Sequence, residues 1–467
     1  MTRSLLISLI LSLGFAPSLS AAPLGVRTVL DTNATLLVAE RPGLPMVVLS
    51  MILKTGAAID PQGKQGVANL TAELLTRGTK NYSAQALAEE LDFLGTSLSV
   101  EAGSDATTVG LTTLTKNLDR SFALLAEVIL SPTFPQDEFE RIRKEIEGRL
   151  HSNQEDPGWV AGKAFKEHLY PQHPYGRLIS GQAETLARIT PADIEQFHAT
   201  YYRPNNAIIA VAGEITQDRI GSLLAAHFAD WQAADLPDFS WPDPPERAAR
   251  QVNLNKEVTQ ANIMIGHSGI ARSHPDYYAV LIMNHILGGG GFGSRLMDRI
   301  REEQGYAYSI GSYFSARKHP GPFTVALQTK NESARQAIDE TLAVIRHFRE
   351  EGATEEELEA AKAYLINSFP LRLVSNADVA GMLPVLEFYE LGLDYPDRYP
   401  GIIGSVTLEQ VRTAAKNHLH PDQFVQVVVA DLEKAGLERA ETSADVSGGD
   451  TEHTATEEPN PAATRAD

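Results

Sequence analysis

"LDFLGTSLSVEAGSDATTVGLTTLTKNLDRSFALLAEVI", residues 91–129, has a second copy farther along: "IREEQGYAYSIGSYFSARKHPGPFTVALQTKNESARQAIDETLAVI", residues 300–345. Both read as a helix end, a glycine, two alternating strands, then Thr-Lys-Asn and a helix. The Thr-Lys-Asn copies are Thr115–Asn117 and Thr329–Asn331. Each half also closes alike. "ITPADIEQFHATYYRPNNAIIAVAGEI" (189–215) matches "VTLEQVRTAAKNHLHPDQFVQVVVADL" (406–432): a helix opened by Thr, a polar turn, then a β-rich strand. The pattern predicts an internal duplication of α+β class, each copy a mostly antiparallel sheet covered by helices on one face.

Between the copies lies "LPDFSWPDPPERAAR", residues 236–250. Its four prolines prevent regular structure and favour a stiff, extended connector. The domains are therefore expected over 24–232 and 251–436, with a linker over 233–250. Beyond them, residues 437–467 are small, polar and acidic. The last 30 hold eight Asp/Glu against two Arg, a composition that predicts a disordered tail.

Hydrophobic content of 43% and charge of 21% are ordinary for a globular protein. A formal net charge of −20 argues against nucleic acid as a partner, because a phosphate backbone needs a basic surface. There is no cysteine, which excludes disulfides, thiolate metal sites and a lipidated N-terminal Cys.

The chain opens "MTRSLLISLILSLGFAPSLSAAPLG". Arg3 is a short positive region, residues 5–16 are too short an apolar run to span a bilayer, and small residues follow. Residues 1–22 are expected to be a cleaved secretory signal peptide. The mature chain is then periplasmic or secreted, with no stable membrane anchor.

"QGVANLTAELLTRGT", residues 65–79, reads as an amphipathic helix ending at Gly78, its apolar side formed by Val67, Leu70, Leu74 and Leu75. Asn69 and Glu73, four apart, share its other face. "LGGGGFGSRL", residues 287–296, has four consecutive glycines but no following Gly-Lys-Ser/Thr, so a phosphate loop is not expected. Gly288, Gly289 and Gly290 instead suggest a flexible turn where backbone or substrate can come close.

These stretches, with "LSPTFPQDEFERIRKEI" and "HPYGRLISGQAETLARITPADIEQFHATYYRPNNAIIAVAGEI", resemble in order and spacing the pitrilysin/insulinase zinc peptidases, and among them the short two-subunit processing peptidases. The resemblance implies two similar domains facing each other across a chamber. It also implies an inverted zinc motif, His-x-x-Glu-His, on the helix after Gly66. The positions of that motif here are Asn69, Ala72 and Glu73, all changed. Counting back from Pro157, the third-ligand position falls on Arg149, with Glu145 and Glu147 as near alternatives.

An amide and one carboxylate make a poor zinc site, and Ala72 cannot take a proton from water. None of the 13 histidines is paired at i, i+4, so no relocated motif replaces the lost one. Asn69 and Glu73 are expected to form an ordinary hydrogen-bonded helix pair. No metal is expected in this chain.

The second half is different. The family has an Arg and, seven residues later, a Tyr that reach the substrate; in "IREEQGYAYSI" these positions are Arg301 and Tyr308. Guanidinium and phenol are fixed donors that can hold a carbonyl and stabilise an oxyanion. Tyr306, between them, has no account from the sequence. Strand residues 96–111 occupy the place where the family lays substrate along a sheet edge. The resemblance thus implies a subunit without zinc, inactive alone, that supplies Arg301 and Tyr308 to a zinc-bearing homologous partner for cleavage of peptides or unfolded chains. The alternative is a catalytically inactive peptide-binding or assembly scaffold.

Overall fold

The computed structural model describes residues 23–242 and 246–440. The expected signal peptide, and the expected tail beyond Ala440, lie outside the described residues.

The first half contributes β1 (Val26–Val29), β2 (Thr35–Glu40), β3 (Met46–Leu53), β4 (Ser97–Ala102), β5 (Thr107–Leu114) and β6 (Ala207–Gly213). Its helices are α1 (Val67–Leu74), α2 (Ala84–Leu94), α3 (Leu118–Leu130), α4 (Gln136–Asn153), α5 (Pro157–Leu169), α6 (Ala183–Leu186), α7 (Pro191–Tyr201) and α8 (Gln217–His227). The second half contributes β7 (Arg250–Asn255), β8 (Gln260–Ser268), β9 (Ala307–Phe314), β10 (Pro322–Lys330) and β11 (Val425–Ala430). Its helices are α9 (Tyr277–Asn284), α10 (Ala334–Glu351), α11 (Glu355–Ser368), α12 (Asn376–Phe388), α13 (Tyr395–Ser405), α14 (Leu408–His418) and α15 (Leu432–Ala435).

The sheets run β1-β2-β6-β3-β5-β4 and β7-β11-β8-β10-β9. Without β1 the two orders are the same, each with one parallel pair, β2–β6 and β7–β11, among antiparallel ones. The duplication seen in the sequence is thus a duplication of topology. In both Thr-Lys-Asn copies the Asn side chain donates to a backbone carbonyl at 2.7 Å, but at different places: Asn117 Nδ2 to Leu94 O at the end of α2, and Asn331 Nδ2 to Val258 O between β7 and β8. A capping box opens each closing helix, Thr190 with Asp193 and Thr407 with Gln410.

Each sheet buries one face under its own helices and receives one helix from the other half on the second face. Val379, Ala380 and Leu383 of α12 pack on Leu37, Val48, Ile208 and Ala210 of the first sheet. Ala161, Phe165 and Leu169 of α5 pack on Val252, Val425, Val427 and Val429 of the second. This explains β6, a strand buried along its whole length, which a one-sided sheet would not need. Where the resemblance leads to halves facing across a chamber, the halves of one chain interlock through these two packed clusters.

The described linker residues 233–242 and 246–249 carry no helix or strand, and the linker is anchored. Trp241 stacks on His319 at 3.9 Å and sits against His173 and Tyr175 of the "HPYG" loop. Two boundaries differ from the sequence reading. Helix α1 ends at Leu74, short of Gly78, which packs against Pro135. Ordered chain runs past residue 436 to Ala440, because Asn253 on edge strand β7 donates to Glu438 O and Ala440 O.

Candidate functional site

Helix α1 is built by burial. Val67, Leu70, Leu74 and Leu75 are at most 1% exposed. Its start is fixed by Asp60, whose carboxylate accepts from the Gly66 amide at 2.7 Å and the Ala68 amide at 2.9 Å. Gly66 has φ +108, and a Cβ there would meet Ser180 O at 2.8 Å, so only glycine fits. Burial pushes the Asp60 carboxyl up to about 7, against those two amides and the Arg177 guanidinium, which favour its ionised form.

On the polar face, Asn69 Nδ2 donates to Glu73 Oε1 at 2.9 Å. Arg149 Nη2, from α4, donates to the same oxygen at 2.6 Å. Of the three candidates for the third position, only Arg149 reaches α1. Glu145 and Glu147 pair along their own helix with Arg141 and Arg143. Ala72 is a buried methyl, 2% exposed. The single carboxylate already accepts from the Arg149 guanidinium, whose positive charge disfavours a divalent cation at the same oxygen. These residues do not fit zinc.

Arg301 and Tyr308 lie together in the second half, and both stand on local irregularities. Arg301 belongs to a π-helical turn, Met297–Glu303. Tyr308 is the extra residue of a β-bulge: on β9, Ser309 pairs with Gln328 and Ala307 with Thr329, leaving Tyr308 unpaired. A bulge re-aims a side chain, and Tyr308 is 71% exposed on an edge strand. The Arg301 guanidinium lies 5.7 Å from the Tyr308 ring centroid and 4.8 Å from that of Phe292, itself exposed. Phe292 was missed from the sequence; its place in "GGGGFG" offered only a lone aromatic among glycines. Tyr306 is half-buried against the core, and its carbonyl accepts from Thr329 Oγ1.

The glycine run differs from the expected flexible turn. Residues His285–Gly289 form a second π-helical turn, tied to β9 where Asn284 Nδ2 donates to Ser312 O and Ser312 Oγ to Asn284 Oδ1. Gly288 is buried, and a Cβ on it would fall 2.5 Å from Ser312 Oγ. Gly289 and Gly290 similarly crowd Asn284 and His285. Of the two approaches expected at this run, Gly288 shows that of backbone: a Cβ on it would also fall 2.8 Å from Ser312 N on β9. The turn with φ above zero is at Gly291.

The expected substrate edge is β4, whose outer side is unpaired at the end of the first sheet. Among the described residues no hydrogen bond or ion pair links the Asn69–Glu73–Arg149 group to Arg301 or Tyr308.

Known proteins place this geometry. Residues 36–182 match the family model "Insulinase (Peptidase family M16)", and 188–365 match "Peptidase M16 inactive domain". A crystal structure of the peptidase M16 inactive domain from Pseudomonas fluorescens is 31% identical and superposes with a TM-score of 0.82, covering 87% of this chain and 97% of that one. The chain belongs to peptidase family M16. This M16 chain is also 26% identical to the "Non-peptidase homolog YmxG" of Helicobacter pylori, over 91% of its own length and 98% of the relative's. It is 26% identical to the "Uncharacterized zinc protease YmxG" of Bacillus subtilis, over 75% and 83%. The family match accounts for the two-domain α+β fold.

Proposed function

We propose that this chain is the subunit without the catalytic zinc of a periplasmic or secreted two-chain M16 peptidase. One observation supports this reading above others: Arg149 occupies the expected metal face, while a half-buried Arg301 on a π-turn lies beside an exposed Tyr308 on a bulge. A pure scaffold has no use for an exposed phenol beside a half-buried guanidinium. A homologous partner with an intact His-x-x-Glu-His helix would hold the zinc. This chain would bind the peptide along a sheet edge and place two donors at the carbonyl under attack.

The test compares peptide hydrolysis by this chain, by the zinc-bearing homologue and by the mixture. Activity only in the mixture, or much greater there, is expected. Equal activity of the homologue with and without this chain overturns the proposal. A second reading, an inactive peptide-binding or assembly scaffold, is favoured by the likeness to a relative named a non-peptidase. It predicts peptide binding with no gain in hydrolysis. The charge of −20 supports neither reading with a nucleic acid partner, and no described helix is long and apolar enough to cross a membrane.

A further inference from the structure

The second half contains a cluster that neither the zinc motif nor the Arg–Tyr pair uses. His274 and Asp276 lie in the loop entering α9, and His418 is the last residue of α14. One ligand-type atom from each lies within 4.8 Å of the other two. His418 Nε2 donates to Asp276 Oδ2 at 2.7 Å. The His274 ring meets the His418 ring edge-on, with centroids 5.0 Å apart. His418 is 9% exposed, while the Asp276 side chain is 40% exposed and opens the cluster to solvent.

The ion pair alone has a structural explanation. An imidazole N–H at the end of α14 donating to a carboxylate at the start of α9 joins the two helices, and the carboxylate suits the helix dipole it faces. That explanation needs only His418 and Asp276. His274 is surplus to it: a second imidazole, with no acidic partner, held at the same point. Its Nδ1 accepts from the Asp276 amide at 3.1 Å, which orients the ring.

We propose that His274, Asp276 and His418 form a binding site for a divalent transition metal, zinc first among them. Two imidazoles and a carboxylate suit zinc, and water would complete the coordination. Tetrahedral bonds of about 2.0–2.1 Å separate ligand atoms by roughly 3.4 Å. The His418–Asp276 contact of 2.7 Å must therefore widen by about 0.7 Å, and any pair wider than that separation must close. His418 gives up the Nε2 hydrogen it now donates to Asp276, and His274 gives up its contact with the amide or turns its ring. Metal entry therefore releases a proton wherever His418 is protonated. The site would clamp α9 to α14. By the duplication α9 corresponds to α1, but the cluster lies at the helix entrance, away from the position of the degenerate motif.

The experiment uses the untagged full chain, stripped with chelator and titrated with Zn²⁺ by calorimetry in two buffers of different protonation enthalpy. Co²⁺ is added separately and its visible absorption followed. Saturable binding of about one metal per chain is expected, with a d–d spectrum of imidazole and carboxylate ligation. His274→Ala leaves the ion pair intact, so the fold should survive, and it should weaken binding at least about tenfold. Glu73→Gln should leave binding unchanged. Absence of saturable binding, or binding insensitive to His274→Ala, overturns the proposal. Loss of binding in Glu73→Gln would move the metal to the first half and overturn it too.

Discussion

Arg149 on α4 donates at 2.6 Å to Glu73 on α1, and Asn69 donates at 2.9 Å to the same oxygen. The three positions that the resemblance assigns to metal ligands meet at a guanidinium–carboxylate contact. The Arg149 side chain is 54% exposed and that of Glu73 24%. Solvent screening therefore leaves such a pair about 0–1 kcal/mol. Arg149→Met should shift the urea midpoint very little. A loss of several kcal/mol would show that the pair is a structural clamp and not a neutral filling of the old face.

Asp60, at the entrance to α1, gives a pH signature. Its carboxyl is raised to about 7, chiefly by burial. A raised carboxyl binds its proton more tightly in the folded state. The stabilisation it contributes is therefore complete below the ordinary value near 3.9 and is lost as pH rises through about 7. Measured against Asp60→Asn, wild-type stability should fall over that window, with a slope no steeper than about 1.4 kcal/mol per pH unit. Urea titrations of both proteins between about pH 5 and 8 give the difference. A difference constant with pH would contradict the assignment.

Gly288 should resist change for steric reasons. A Cβ there falls 2.5 Å from Ser312 Oγ and 2.8 Å from Ser312 N, whereas at Gly293 it meets nothing within 4 Å. Gly288→Ala should cost about 1–3 kcal/mol, the usual range for overpacking, and Gly293→Ala much less. Thermal melts of the two variants check this. Equal costs would mean that the run is glycine-rich for mobility and not for packing.

The Arg–Tyr pair is expected to act on turnover in the reconstituted two-chain enzyme. Tyr308→Phe keeps the ring and removes one donor to charge that develops in the transition state. A fall in kcat of about 10²-fold with little change in KM should follow. Arg301→Ala should lower both binding and turnover, and it also frees Phe292 from its cation. Gel filtration checks that association is intact. If kcat stays within about twofold in Tyr308→Phe, the scaffold reading moves ahead.

The duplication was legible because motifs repeat in it: Thr-Lys-Asn stands between a strand and a helix in both halves, and the capping threonines open the closing helix alike in both. The exchange of α5 and α12 between the halves was not legible. An apolar stripe such as Val379–Leu383 says that a helix buries a face, not which sheet receives it. Nor could the alternation of "AYSIGSYF" reveal that Tyr308 is a bulge residue, since a bulge depends on the partner strand. Asn69 and Glu73 were read as a helix pair from spacing alone, and their contact with Arg149, 76 residues from Glu73, came with tertiary packing. His274 and His418 escaped notice because their proximity follows from the packing of the loop before α9 against α14, not from a local motif.

The central claim is that the M16 metal face survives as geometry but not as chemistry, and zinc binding tests it most directly. In a His274→Ala background, which removes the second-half cluster, zinc is titrated into the unchanged face and into the variant N69H/A72E/E73H/R149E. The account predicts no tight zinc in the first and about one zinc per chain in the second, held by two imidazoles and a carboxylate. Tight zinc on the unchanged face, or none on the rebuilt one, would contradict it.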